Sequence, residues 1–211
     1  MSLLNVLTPT ILAAVISSSV VSTLLAALLG WFKEWRLRNG LARDTALSVA
    51  VELERYCRNC VHKLLDLEYA IGEAERQNSY QLLGDSPIPG FVYQVDVTSR
   101  ELEMSFLAKL REFPNAIEGW RRDIFDDPEH YDPLVVAGRK VYAMAHLARR
   151  SWVLAIEIRK HYRLDAPEIH ERNWNMHEQI QRVLVQEIRA KQRRLESDRK
   201  MIEQLNALVH N

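Results

Sequence analysis

Apolar and charged positions are segregated along this chain, and their spacing defines its elements. No charged side chain precedes Lys33, and residues 10–32 form an uncharged run of 23 residues rich in Leu, Ala, Val and Ile. At ~1.5 Å per residue a helix of that length reaches about 35 Å, enough to cross a hydrocarbon core of ~30 Å with some tilt. The run predicts a single transmembrane helix, opened by Thr8-Pro9 and flanked at its far end by the interfacial aromatics Trp31 and Trp35. A cleaved signal peptide would need a basic segment before the run and a small-residue cleavage site after it, and the sequence has neither. Lys33, Arg36, Arg38 and Arg43 follow the run with Glu34 opposing them. The excess of positive charge on that flank places the N-terminus outside and the body in the cytoplasm, the topology of a single-pass inner-membrane protein. Within the run, Ala14, Ser18, Ser22, Ala26 and Gly30 recur every four residues and predict a packing stripe on one helix face. The hydroxyls of Ser18 and Ser22 can equally bond back to their own helix.

Beyond the anchor the period stays helical. Ala50, Leu53, Cys57, Cys60, Leu64, Leu67, Ile71 and Ala74 alternate three and four apart, a seam of more than three heptads. This helix is expected to continue from the anchor, with a break at Asn39-Gly40, and to end near Leu83-Gly84. Asp85-Ser86-Pro87-Ile88-Pro89-Gly90 stops it, and residues 84–98 read as an extended loop over the bundle with Phe91, Tyr93 and Val95 tucked in. Thr98 with Glu101, and Asn115 with Glu118, have capping-box spacing, so two short helices separated by Pro114 are expected there as one broken arm. Asp132-Pro133 opens the next long helix, with the seam Leu134, Ala137, Val141, Met144, Ala148, Ser151, Ala155, Ile158 and Tyr162. Asp165, Pro167 and Glu168 restart the chain as a final helix over 167–209, folded back as an antiparallel hairpin. Its distal seam of Leu195, Ile202, Leu205 and Val209 is interrupted by Lys191 and Asp198, which leaves that half exposed or paired with another chain.

The fold class that emerges is all-α: a transmembrane anchor over 1–32, then one antiparallel bundle of long helices over 33–211 with a broken short-helix arm. Composition agrees, because seven Gly and seven Pro in 211 residues leave little punctuation. The formal net charge is zero, from 28 Lys and Arg against 28 Asp and Glu, but it is unevenly placed. Residues 1–83 hold 8 basic and 8 acidic side chains, 84–133 hold 5 and 11, and 134–211 hold 15 and 9. The simplest reading is an acidic arm lying beside basic later helices. Arg189, Lys191, Arg193, Arg194, Arg199 and Lys200 form the densest basic stretch, which an up-and-down bundle would return toward anionic lipid. No interleaved aromatics or recognition motif accompany it, which argues against nucleic acid as a partner.

Candidate chemistry is sparse. Cys57-Arg58-Asn59-Cys60 with His62 nearby could point two thiolates at one metal, but both cysteines occupy the apolar seam, where Cys behaves as a small buried residue. His170-Glu171 and His177-Glu178 repeat at seven residues, whereas a zinc-protease helix needs two His four apart. Glu157 and His161 are four apart and read as a surface pair. Asp123, Asp126, Asp127, Glu129 and Asp132 crowd one stretch with His130, yet the spacing does not fit a calcium loop and two of the Asp precede Pro as helix punctuation. No phosphate loop or nucleophile elbow occurs, so neither a cofactor nor a catalytic set is expected. These observations imply a membrane-anchored bundle acting through association with itself or with another protein, membrane-embedded or cytoplasmic. The alternatives are a metal-binding or redox bundle using Cys57 and Cys60, and a membrane-stress or phage-associated envelope protein, which rests on layout alone.

Overall fold

The computed structural model describes residues 4–83, 86–92, 102–125, 132–167 and 175–209; the side chains of 4–22, 82, 125, 175, 205 and 207–209 lie outside that description. Within these residues the protein is all-helical, with α1 Leu4–Gln77, a 3-10 turn Tyr80–Leu83, α2 Met104–Phe125, α3 Pro133–His161 and α4 Asn175–Val209.

The seam of α1 is buried as its spacing requires: Ala50, Leu53, Cys57, Cys60, Leu64, Leu67 and Ala74 are all inaccessible. It packs most extensively against α3, whose Ala143, Ala145 and Ala148 let the two backbones approach. Asp132 caps α3 as expected, its carboxylate accepting from the Leu134 N–H at 2.9 Å, with Pro133 in the first turn. The last turn of α3 carries Arg159, Lys160 and His161, cations that suit the negative end of the helix dipole.

Side-chain contacts give the direction of each helix. Phe106 meets Tyr162, Lys109 meets Glu157, and Trp120 meets Tyr142, so α2 and α3 are antiparallel. Cys57 meets Met176 and Glu68 meets Arg182, so α4 runs parallel to α1. Lys191 lies over Tyr142 in α3, which therefore runs against its three neighbours. The core has two parts. One joins Val49, Ala50 and Leu53 to Phe106, Leu110, Leu154 and Ile158. The other joins Cys57, Cys60 and Leu64 to Phe113, Ile117, Met144, Leu147, Ile180 and Leu184. At ~25 cal/mol per Å², each such fully buried Leu, Ile or Phe stabilises the bundle by roughly 1.5–3 kcal/mol relative to exposure.

Several expectations from the sequence need correction. There is no break at Asn39-Gly40: α1 is continuous for 74 residues, about 111 Å at ~1.5 Å per residue. One glycine costs a long helix only about 1 kcal/mol, too little to interrupt it. The helix ends at Gln77 rather than near Gly84, because Asn78 adopts a left-handed conformation (φ 49°) and Ser79 N–H closes back on the Ala74 carbonyl at 3.1 Å.

The broken arm is also overturned: α2 is one helix with Pro114 inside it. Pro114 faces solvent, so the Leu110 carbonyl that loses its donor can bond water, while Leu110, Phe113 and Ile117 are buried and hold both halves in line. Its start is at Met104, where the Glu103 carbonyl takes the Leu107 N–H at 3.1 Å; Thr98 and Glu101 lie outside the described residues.

Nor does α4 open at Pro167. Residues 164–167 are non-helical, because Arg163 turns left-handed (φ 53°), Leu164 N–H bonds the Arg159 carbonyl at 2.9 Å, and the Arg159 guanidinium holds the Asp165 carbonyl at 2.6 Å. Finally, the basic stretch of α4 does not return toward the N-terminal arm. Because α4 parallels α1, residues 189–200 lie toward the opposite end of the molecule.

The segment 86–92 lies over the bundle as expected. Tyr56 donates to the Pro89 carbonyl at 3.1 Å, Arg121 to the Ile88 carbonyl at 2.7 Å, and Phe91 packs edge-on against Tyr56 and Phe113. Tyr93 and Val95 lie outside the described residues. Among the described residues no helix is long and apolar enough to cross a membrane; the predicted span, residues 10–32, has the side chains of 10–22 outside that set.

Candidate functional site

The Cys57 and Cys60 thiols point into the core and are fully inaccessible, whereas His62 faces solvent on the other side of α1. Burial pushes the Cys57 thiol up to about 12, against the lowering effect of Ser151. Burial likewise pushes Cys60 up to about 12, against Tyr56. Both are therefore protonated near neutral pH, with Cys57 Sγ 3.9 Å from the Met176 thioether, an apolar neighbour. Among the described residues no group of three or more His, Cys, Asp and Glu is placed to hold a metal.

The remaining sequence motifs are dispersed. Glu157 and His161 do not pair with each other: Glu157 takes Lys109 at 2.7 Å, and His161 takes Glu103 at 2.9 Å. His177 is exposed and reaches Gln181, while His170 and Glu171 lie outside the described residues. Of the acidic stretch, Asp123 is exposed and Asp132 is the α3 cap; Asp126, Asp127, Glu129 and His130 fall outside the description. In the small-residue stripe, Ala26 and Gly30 are exposed, with no described side chain packed on them, and the side chains of Ala14, Ser18 and Ser22 fall outside the description.

Two features escape a reading of the sequence. The first is a buried ion pair between α1 and α3. Arg159 donates through Nε to Glu54 Oε1 at 2.6 Å and through its second amino group to Oε2 at 3.2 Å, and both residues are buried. Each sits one position from a seam residue, Leu53 or Ile158, and the partners are 105 apart in sequence, so spacing could not find them. The guanidinium also ties down the connection after α3 through Asp165, which makes the pair a structural clamp rather than a reactive dyad.

The second is a cleft of about 670 Å³ between α2, α3 and α4. Val153, Leu154, Leu184 and Ile188 give it an apolar floor, and Lys109, His146, Arg149 and Arg150 give it a cationic rim, with Glu112 and Glu157 on the α2 side and near Lys109. Partial burial pushes the His146 imidazole below its usual range, and Arg150, Arg149 and Lys191 push it the same way. It is therefore neutral at pH 7, and the rim charge comes from lysine and arginine.

A run of exposed large apolar side chains lies elsewhere, on the part of α1 that precedes the bundle. Leu24, Leu25, Leu28, Leu29, Trp31, Phe32 and Trp35 each leave 47–67% of their surface accessible. They occupy all sides of the helix, since residues 23–40 are exposed without exception. No family model matches this chain, and comparison with curated proteins and with solved structures finds no match to it either.

Proposed function

We propose that this is a single-pass membrane protein, N-terminus outside, whose cytoplasmic bundle works by association with itself or with another membrane or cytoplasmic protein, without a reaction of its own. The observation that carries the reading is the bare apolar arm of α1. A helix with leucines and aromatics on every side, outside any protein core, is stable only where lipid or another chain covers it. Charge fits the same reading: the uncharged run over 10–32 is followed at once by Lys33, Arg36, Arg38 and Arg43. Protonated, buried thiols offer no nucleophile or metal ligand near neutral pH, so Cys57 and Cys60 serve as core rather than as a reacting centre.

The test compares the full chain with one beginning at Lys33, each expressed in cells, by alkaline extraction of membranes followed by affinity capture and mass spectrometry. The full chain is expected to resist extraction and the shorter one to be released, with a defined companion, or a second copy, captured more strongly with the full chain. A full chain that washes off at alkaline pH removes the anchor. A chain that captures neither a companion nor a differently tagged second copy in either form removes the association.

A further inference from the structure

The outer half of α4 leaves the bundle: Lys191 still lies over Tyr142 of α3 at 5.0 Å, but from Lys191 to Gln204 every residue is exposed, although Leu195, Met201 and Ile202 are large and apolar. The register of the exposed apolar groups is specific: Ile188, Leu195 and Ile202 stand seven apart, and Lys191 and Asp198 occupy the intervening seam positions. Such a heptad stripe packs against another helix. Its two charges determine which one.

In a parallel pair of identical helices each seam residue meets its own copy, so Lys191 would face Lys191 and Asp198 would face Asp198 across a dry seam. Arg194 would also approach Arg199 of the other helix at flanking positions. Like charges so placed are destabilising. In an antiparallel pair the layers become Leu195 with Asp198, and Lys191 with Ile202. Lys191 of one copy then sits one helical turn from Asp198 of the other, about 6 Å along the axis. The Lys191–Lys191 and Asp198–Asp198 contacts are thereby replaced by an opposite-charge approach. The seam thus favours a second copy of this chain in the antiparallel orientation.

The cleft agrees with that register. An antiparallel neighbour brings the C-terminal end of its α4 to the level of Leu184 and Ile188, where the cleft opens. That helix end carries no basic residue in its last turn, and its negative dipole favours a cation beside it. Arg149 and Arg150 on the cleft rim supply one.

We infer that two copies pair head to head through the outer half of α4, antiparallel, with the tip of each α4 entering the cleft of the other. This deepens the self-association reading above and rests on it. Two molecules joined this way point their apolar arms in opposite directions.

The test uses the full chain in mild detergent, by sedimentation and by disulfide trapping. Lys191→Cys and Ile202→Cys chains, mixed and oxidised, are expected to give the mixed disulfide, because these positions share a layer in the antiparallel pair. Lys191→Cys with itself should not react, its two thiols being about 16 Å apart along the axis. Cys57 and Cys60 are inaccessible and do not interfere. Lys191→Asp is expected to weaken pairing roughly tenfold, equivalent to one repulsive contact, and Lys191→Asp with Asp198→Lys to restore it. All these positions are exposed, and far-UV circular dichroism confirms that each variant remains folded. Trapping of Lys191→Cys with itself, or a dimer indifferent to Leu195→Glu, overturns the antiparallel pair and leaves self-association standing by another surface. A wild-type chain that sediments as a monomer overturns both the pair and self-association.

Discussion

At the scale of single residues, the interior is specified by groups that cannot be exchanged singly. Removing either partner of the Glu54–Arg159 pair strands a charge in the core, a change that costs about 3–5 kcal/mol. Urea denaturation of Glu54→Ala and Arg159→Met is expected to show losses of that size, and the Glu54→Met, Arg159→Met double variant a smaller loss than the two singles combined. Equal and additive losses would show the pair to be uncoupled. His146 makes the second prediction. Its folded pKa lies below its unfolded value of about 6.5, so the unfolded chain binds the proton first. Its contribution is complete above that value and is lost as pH falls toward the folded pKa. Thermal melts of the wild type between pH 7.5 and 5.5 should therefore fall more steeply than those of His146→Gln, and parallel curves would remove the assignment.

At the scale of elements, the most informative helix is α2, which carries a proline where a sequence rule expects an end. Pro114→Ala restores a backbone donor to the Leu110 carbonyl and is expected to stabilise the protein by about 1–3 kcal/mol in chemical denaturation. A destabilised variant would mean that the bend is needed for packing. This case also marks what spacing can and cannot say. The seams of α1 and α3 and the Asp132 cap were legible because period and capping are local properties of the chain. Pro114 was misread because the apolar contacts of Phe113 and Ile117, formed with residues distant in sequence, outweigh its local preference. A helix beginning at Pro167 was misread for a similar reason, since Arg159 holds the Asp165 carbonyl and residues 164–167 are non-helical. Direction was illegible too. Short connections favour antiparallel neighbours, but the long return between α1 and α2 lets α1, α2 and α4 run the same way, and nothing local records it. Of the candidate site, the cysteine pair was legible as core, whereas the cleft is assembled from three helices and has no signature in any one of them.

At the scale of the whole molecule, what matters is that α1 has no joint. Residues 46–74 are gripped by the bundle through buried Ala46, Val49, Leu53, Leu64 and Ala74, and the same helix leaves it as the bare arm. Spin labels at Trp35 in the arm and at Glu75 near the far end of the gripped part should report one narrow distance distribution in the full chain, and a broad one would reveal a hinge near Gly40. With no hinge, bending and twisting at one end are felt at the other. A single residue inserted after Arg38 would turn the arm by about 100° relative to the bundle, whereas seven would bring it nearly back into phase. The protein is in this respect a shaft with a handle: torque applied to the arm has no slack to take up before it rotates the surfaces that other molecules touch.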